Sequence, residues 1–293
     1  MNYSGKLGIA FSGGGLQGIS HIGVIRALEE LQIHPDVISG TSSGSIFASM
    51  YAMGYTSSEM EEIAKKSWKK LSKIKKSTIL KMGFDFLFRN RISREGVIDG
   101  KIVENVVTDF AAPKQVKQLS DLTIPTALCT VDTYTTDQCI FLSQKIPTPR
   151  EHVHYLYDAP IEIAVRSSMA FPGIYNSCDY QNYNFIDGGT KENLPVEVLK
   201  DLGMDRVIAI SFAYKTYHPN RGIINLFLRV LDIFPSDRLR SSKHLADYVV
   251  SIVDDDTALL EIEDFSATIQ KGYDAVMNQK DSLLAFLQKQ PQA

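Results

Sequence analysis

The first apolar run, Leu7-Gly8-Ile9-Ala10-Phe11, is short and unbroken and passes directly into Ser12-Gly13-Gly14-Gly15. It reads as a buried strand ending in a glycine turn. Beyond the turn the period changes: Ile22, Ile25 and Leu28 recur at threefold spacing, with Val24 and Leu31 widening the stripe, which predicts an amphipathic helix. Asp36-Val37-Ile38-Ser39 returns to a β-prone run, and Ser45 through Ala52 can continue as a helix. This βαβα opening predicts a largely parallel sheet. Further on, residues 125–131 and 139–142 read as strands separated by a polar turn. Residues 159–169 read as a helix, and residues 183–186 and 206–212 as strands. From about residue 222 the pattern is mainly helical, with Ile223 to Phe234 its most apolar stretch.

Composition adds limits rather than detail. At 293 residues with 44% hydrophobic and 22% charged residues, the chain fits one α/β domain over residues 1–293, with no linker or internal repeat to divide it. No run approaches the ~18 apolar residues that cross a bilayer, and Lys6 leads through a short strand into glycines rather than into a signal-peptide core, so a cytoplasmic protein is expected. Cys129, Cys139 and Cys178 show no metal-ligand spacing and fit a reducing compartment as small buried residues. His152 and His154, one residue apart, fit a solvated loop better than a metal pair, and no metal or organic cofactor is implied.

Two short stretches carry the candidate chemistry. Gly40-Thr41-Ser42-Ser43-Gly44 has the Gly-x-Ser-x-Gly spacing of a nucleophile elbow, in which a serine occupies a tight turn between a strand and a helix. Only Ser42, not Ser43 or Ser45, sits at its centre. Gly13-x-Gly15-x-x-Gly18 after the first strand admits two explanations, since N–H groups at a glycine-rich helix start suit either a cofactor pyrophosphate or an oxyanion. Asp36 lies near the offset of a ribose-binding acid, which a dinucleotide-dependent oxidoreductase would require. The serine elbow after the second strand, and Asp187-Gly188-Gly189 at a late strand end, favour the oxyanion reading. By itself Asp187-Gly188 is also an ordinary turn pair.

The ordered set of glycine loop, serine elbow and Asp-Gly-Gly turn resembles the patatin-like phospholipase family, as does the block Ala164-Val165-Arg166-Ser167-Ser168-Met169-Ala170-Phe171-Pro172-Gly173. His21-Ile22-Gly23-Val24 fits that family's first helix. The resemblance implies a three-layer α/β/α fold and a serine acyl hydrolase acting on lipid esters such as phospholipids or lysophospholipids. Ser42 would be its nucleophile and Asp187 its proton acceptor, without a histidine. Gly13, Gly14, Gly15 and Leu16 would form the oxyanion hole, and Gly18, Gly40, Gly44, Gly188 and Gly189 would support these turns. Gln17 departs from the basic residue common there, and so does Asn176-Ser177-Cys178-Asp179 from the usual apolar or proline-rich stretch. Loss of that cation makes a catalytically weak lipid-binding or regulatory protein the main alternative, while His218 and His244 leave open a Ser-Asp-His triad.

Charge is uneven along the chain. Residues 65–95 hold eight lysines and three arginines against Asp85 and Glu95, in a protein of net charge −3. Trp68, Ile74, Phe84 and Phe88 are interleaved with them, as in segments that lie on anionic membranes, although a solvated helix face gives the same pattern. No nucleic-acid-binding fold accompanies the lysines, so nucleic acid is not an expected partner. The Ile223 to Phe234 stretch would be core or would line an acyl-chain channel.

Overall fold

The computed structural model describes residues 5–68, 96–213, 236–253 and 264–289. Its strands are β1 (Leu7–Phe11), β2 (Val37–Thr41), β3 (Gly96–Ile98), β4 (Thr126–Asp132), β5 (Gln138–Leu142), β6 (Val153–Tyr157), β7 (Gly173–Tyr175), β8 (Cys178–Tyr180), β9 (Tyr183–Asp187), β10 (Arg206–Phe212) and β11 (Tyr248–Ile252). The first two helices are α1 (Ser20–Glu30) and α2 (Ser43–Ala52). One sheet runs β11-β10-β1-β2-β4-β5-β6, and β9 joins β4 while β8 joins β9. It is parallel from β11 to β4; β5 is antiparallel to β4, and β6 is parallel to β5.

The apolar character of β1 and of the Val207–Ile210 centre of β10 follows from burial on both faces. Because successive side chains point to opposite sides, Ile9, Phe11, Leu128, Phe141, Ile208 and Ile210 enter one core, while Ala10, Ala127, Cys129, Ile140, Val207 and Ala209 enter another. The first core is covered by α1, α2 and the helices Lys101–Ala111, Ile161–Ser168, Phe265–Met277 and Lys280–Gln288. The second is covered by a thinner layer of Leu194, Val196 and the short helix Glu197–Asp201, with Leu239 and Ala246 packed against it. Two helical layers on a mixed, largely parallel sheet make the three-layer α/β/α architecture expected.

Two sequence expectations change. Tyr248–Ile252, within the part read as mainly helical, is a strand that pairs in parallel with β10. Its Val249, Val250 and Ile252 are β-branched, and the open edge of the sheet gives them a partner. His154, expected in a loop, lies on β6, where its Nε2 is 3.1 Å from the Asp137 carboxylate. Residues 69–95 of the basic stretch and residues 223–234 lie outside the described residues.

Candidate active site

β2 ends at Thr41 and α2 starts at Ser43, so Ser42 alone makes the turn between them. Its backbone sits at φ 53° and ψ −128°, which a residue with a Cβ holds only where its surroundings over-determine it. The flanking glycines are required by close approach. A Cβ on Gly40 would lie 2.6 Å from the Gly44 carbonyl oxygen, and one on Gly44 would lie 2.3 Å from that of Phe11. Thr41 and Ser43 are buried on either side, and Ser42 is left partly exposed.

Strand register brings the second residue to the first. β4 pairs with β2 up to Thr41↔Cys129, and with β5 along its other edge from Ala127 to Val131. β9 takes over the edge that β2 vacates, pairing Asp187 with Thr130. Ser42 and Asp187, 145 residues apart, therefore meet one step beyond adjacent rungs of a single strand, and Ser42 Oγ donates to Asp187 Oδ2 at 2.6 Å. The other carboxylate oxygen accepts the Gly189 N–H at 2.7 Å, and the Asp187 N–H donates to the Ala170 carbonyl at 3.0 Å. A Cβ on Gly188 would lie 2.3 Å from the Cys129 carbonyl oxygen, so the turn closes tightly over β4.

Asp187 is fully buried, and desolvation pushes its carboxyl up to about 7 against the opposing hydrogen bonds from Ser42 and Gly189. An aspartate near its ordinary value of 3.8 is a poor base at neutral pH. One titrating near 7 is matched to accept a proton there and to return it.

The glycine loop approaches from the end of β1. Gly14 N–H donates to Ser43 Oγ at 3.1 Å, and a Cβ on Gly14 would meet the Phe212 ring at 2.3 Å. Gly15, at φ 57°, and Leu16 open the 3-10 turn Gly15–Ile19, whose first N–H groups have no acceptor inside the turn. Gly13 differs from the expectation. Its N–H donates to the Asn193 carbonyl at 3.1 Å, and its own carbonyl accepts from Asn193 Nδ2 at 3.1 Å. It is therefore an anchor; Gly14 N–H also has a partner in Ser43 Oγ, so among these four residues the N–H groups that make no hydrogen bond to another described residue are those of Gly15 and Leu16. Asp36 accepts the Leu7 N–H at 2.7 Å at the start of β1, the far end of that strand from the glycine loop, which does not suit a ribose-binding acid.

Residues 9–200 match the profile of a family described as patatin-like phospholipase. The chain belongs to this patatin-like phospholipase family. Among its relatives, patatin-like phospholipase domain-containing protein 6 of Mus musculus is 29% identical over 206 residues, covering 70% of this chain but 13% of that protein. The uncharacterized protein YqhO of Bacillus subtilis is 24% identical over 272 residues, covering 88% of each. Among solved structures, VipD from Legionella pneumophila superposes with a TM-score of 0.54 at 17% identity, over 95% of this chain and 67% of that one, and shares the fold.

The parts that several residues play in this patatin-like site are silent in the sequence, even where, as with Ser168 and His21, the stretch that holds them stands out. Ser168 accepts the Ser42 N–H, and Asn193 clamps the glycine loop to the segment that follows Asp187. His21, fully buried among Phe11, Phe47 and Phe212, places Nε2 2.9 Å from the Ser12 carbonyl just ahead of the loop. Burial lowers its pKa to about 4, so the ring is neutral at pH 7 and donates Nε2–H to that carbonyl. Glu192, also fully buried and pushed up to about 7 by desolvation, accepts from Gln138 Nε2, while its backbone carbonyl accepts from Thr41 Oγ1 at 3.0 Å. Of the two histidines considered for a triad, His244 is exposed on the helix Ser236–Leu245, and His218 lies outside the described residues. The three cysteines are free and buried, and among the described residues no group of three or more metal-ligating side chains gathers.

Proposed function

We propose that the protein is a serine acyl hydrolase that cleaves ester bonds of lipids, of the phospholipid or lysophospholipid class, through Ser42 and Asp187. The observation that carries this reading is the direct 2.6 Å hydrogen bond from a strained elbow serine to a buried aspartate. Ser42 Oγ attacks the acyl carbonyl as its proton passes to Asp187 Oδ2. The oxyanion that forms accepts from the N–H groups of Gly14, Gly15 and Leu16. Gly14 N–H meanwhile leaves Ser43 Oγ, which holds it in the free protein. Collapse of the tetrahedral species breaks the ester C–O bond, and the proton on Asp187 goes to the departing alcohol. Water, deprotonated by the same carboxylate, then attacks the acyl-enzyme; the acyl–Oγ bond breaks as Asp187 returns the proton to Ser42 Oγ, which frees the fatty acid and restores both residues. The names of the mouse relative and of the family support a phospholipid substrate.

The test is turnover of a medium-chain p-nitrophenyl ester, with labelling by a fluorophosphonate, in wild type, Ser42→Ala and Asp187→Asn. Turnover and labelling in the wild type only are expected, and a folded wild type that does neither overturns the reading in favour of a lipid-binding role. The lysine-rich stretch 65–95 supports a second element, docking on anionic membrane. It calls for vesicle binding that requires acidic lipid and weakens with salt; equal binding to neutral vesicles would remove it.

A further inference from the structure

A dyad has no imidazole to take up slack between nucleophile and acid, so the two side chains must be held directly at hydrogen-bond distance. The C-terminal turn of the helix Ile161–Ser168 touches every part that sets this distance. Ser167 carbonyl accepts from Thr130 Oγ1 at 3.1 Å, Ala170 carbonyl accepts from the Asp187 N–H at 3.0 Å, and Ser168 Oγ accepts from the Ser42 N–H at 3.0 Å. The Ser168 hydroxyl donates in turn to the Cys129 carbonyl at 2.6 Å, which fixes its proton and leaves its lone pairs for Ser42. Ser168 is fully buried and stands 126 residues from the serine it holds.

We infer that Ser168 is a positioning residue for the nucleophile: its hydroxyl links the Ser42 N–H to the Cys129 carbonyl and thereby holds the elbow in the strained conformation that points Ser42 Oγ at Asp187. This rests on the Ser42 and Asp187 reading given above. Three consequences follow from the geometry. The positive φ at Ser42 needs a constraint outside the elbow, and a buried hydroxyl with both partners fixed supplies one. With its N–H on Ser168, Ser42 itself contributes no donor to the oxyanion. The same turn of helix also fixes Asp187, so nucleophile and acid share one support.

The experiment compares Ser168→Ala, Ser168→Cys and Ser168→Thr with wild type by fluorophosphonate labelling rate, ester kinetics across pH and thermal unfolding. Ser168→Ala should lower kcat and the labelling rate by roughly 10- to 100-fold, the scale of a small misplacement of a reacting atom, with KM changed less than about twofold. Ser168→Thr, which keeps the hydroxyl, should recover most of the rate. The pH at which kcat/KM half-rises should stay at the wild-type value, because the change acts through Ser42 and leaves Asp187 as buried as before. Ser168→Cys, close in volume but a poor acceptor, should be slowed in the same way and carries the test if Ser168→Ala does not fold. Folded variants that melt lower but label and turn over at the wild-type rate would overturn the inference. So would a Thr variant that folds and is as slow as Ala. A wild type inactive in both assays would instead overturn the hydrolase reading, a separate result.

Discussion

The burial of Asp187 has a stability consequence that can be measured without any substrate. In the unfolded chain its carboxyl titrates near 3.8, and in the folded protein it is pushed up to about 7. Between those values the native state binds more protons than the unfolded state, so stability from this group is complete below about pH 4 and is lost as pH rises through about 7. At roughly 1.4 kcal/mol for each pH unit of the interval, ionised Asp187 costs the fold about 4 kcal/mol at pH 8. About 2.5 kcal/mol of this develops between pH 5 and pH 8. Asp187→Asn is close in shape and carries no charge, and its Oδ1 can still accept the Gly189 N–H. Denaturant unfolding of wild type and Asp187→Asn at several pH values isolates the effect. Glu192, also pushed up to about 7, titrates in the same window in both proteins and cancels in the difference. The variant should gain on the wild type steadily as pH rises and should be the more stable protein at pH 8, while losing activity. A stability difference that stays flat from pH 5 to pH 8 would show that the carboxylate is as well stabilised in the site as in the unfolded chain and that burial does not raise its pKa.

Three further outcomes are expected. Ser42→Ala should reduce ester turnover by at least about a thousandfold, as loss of a covalent nucleophile does, and should abolish fluorophosphonate labelling with an unchanged circular dichroism spectrum. Wild-type kcat/KM should rise about tenfold per pH unit on the acid side and level off above about 7, since Asp187 must be ionised to accept the Ser42 proton; a plateau extending to about pH 5 would contradict this. Gly14→Ala, whose added Cβ would lie 2.3 Å from the Phe212 ring, should displace an oxyanion donor and lower kcat by roughly 10²-fold or more. Phe212→Ala in the same chain should restore part of that loss in the kinetic assay if the clash is its cause.

What the sequence reveals depends on whether a feature is local. The Ser42 elbow, the glycine loop and the Asp187 turn each need glycine within a few residues, because an added Cβ would come within 3 Å of backbone or ring, and this need is written in adjacent letters. β1 and the Val207-Ile208-Ala209-Ile210 centre of β10, buried on both faces, are equally legible as apolar runs. β6 is not, because its partly exposed residues include His154 and Tyr157. Tyr248–Ile252 has a β-branched signal, but it stands in a stretch with helical patterning on both sides, and only the edge presented by β10 decides it. Ser168, Ser43 and Asn193 resemble any small polar residues until register brings them against Ser42, Gly14 and Gly13 across 126, 29 and 180 residues. Gly13 shows the converse. Its place in the motif points to an oxyanion donor, and only the fold reveals that Asn193 has claimed its N–H.

The handover along β4, where β2 leaves its edge and β9 enters, separates the chemistry from the chain that surrounds it. The distance between Ser42 and Asp187 is set by rungs of one ladder together with the turn Ser167 to Ala170 that braces both residues, and, α2 apart, the rest of the chain between Ser42 and β4 and between β4 and β9 has no part in it. Outside α2 and the turn from Ser167 to Ala170, those stretches can change in length without moving Ser42 relative to Asp187. On the proposed hydrolase reading, selectivity for a head group or an acyl chain would diverge in those remaining segments over a fixed Ser42–Asp187 centre, and grafting a relative's segment onto this scaffold would be a direct route to altering the substrate.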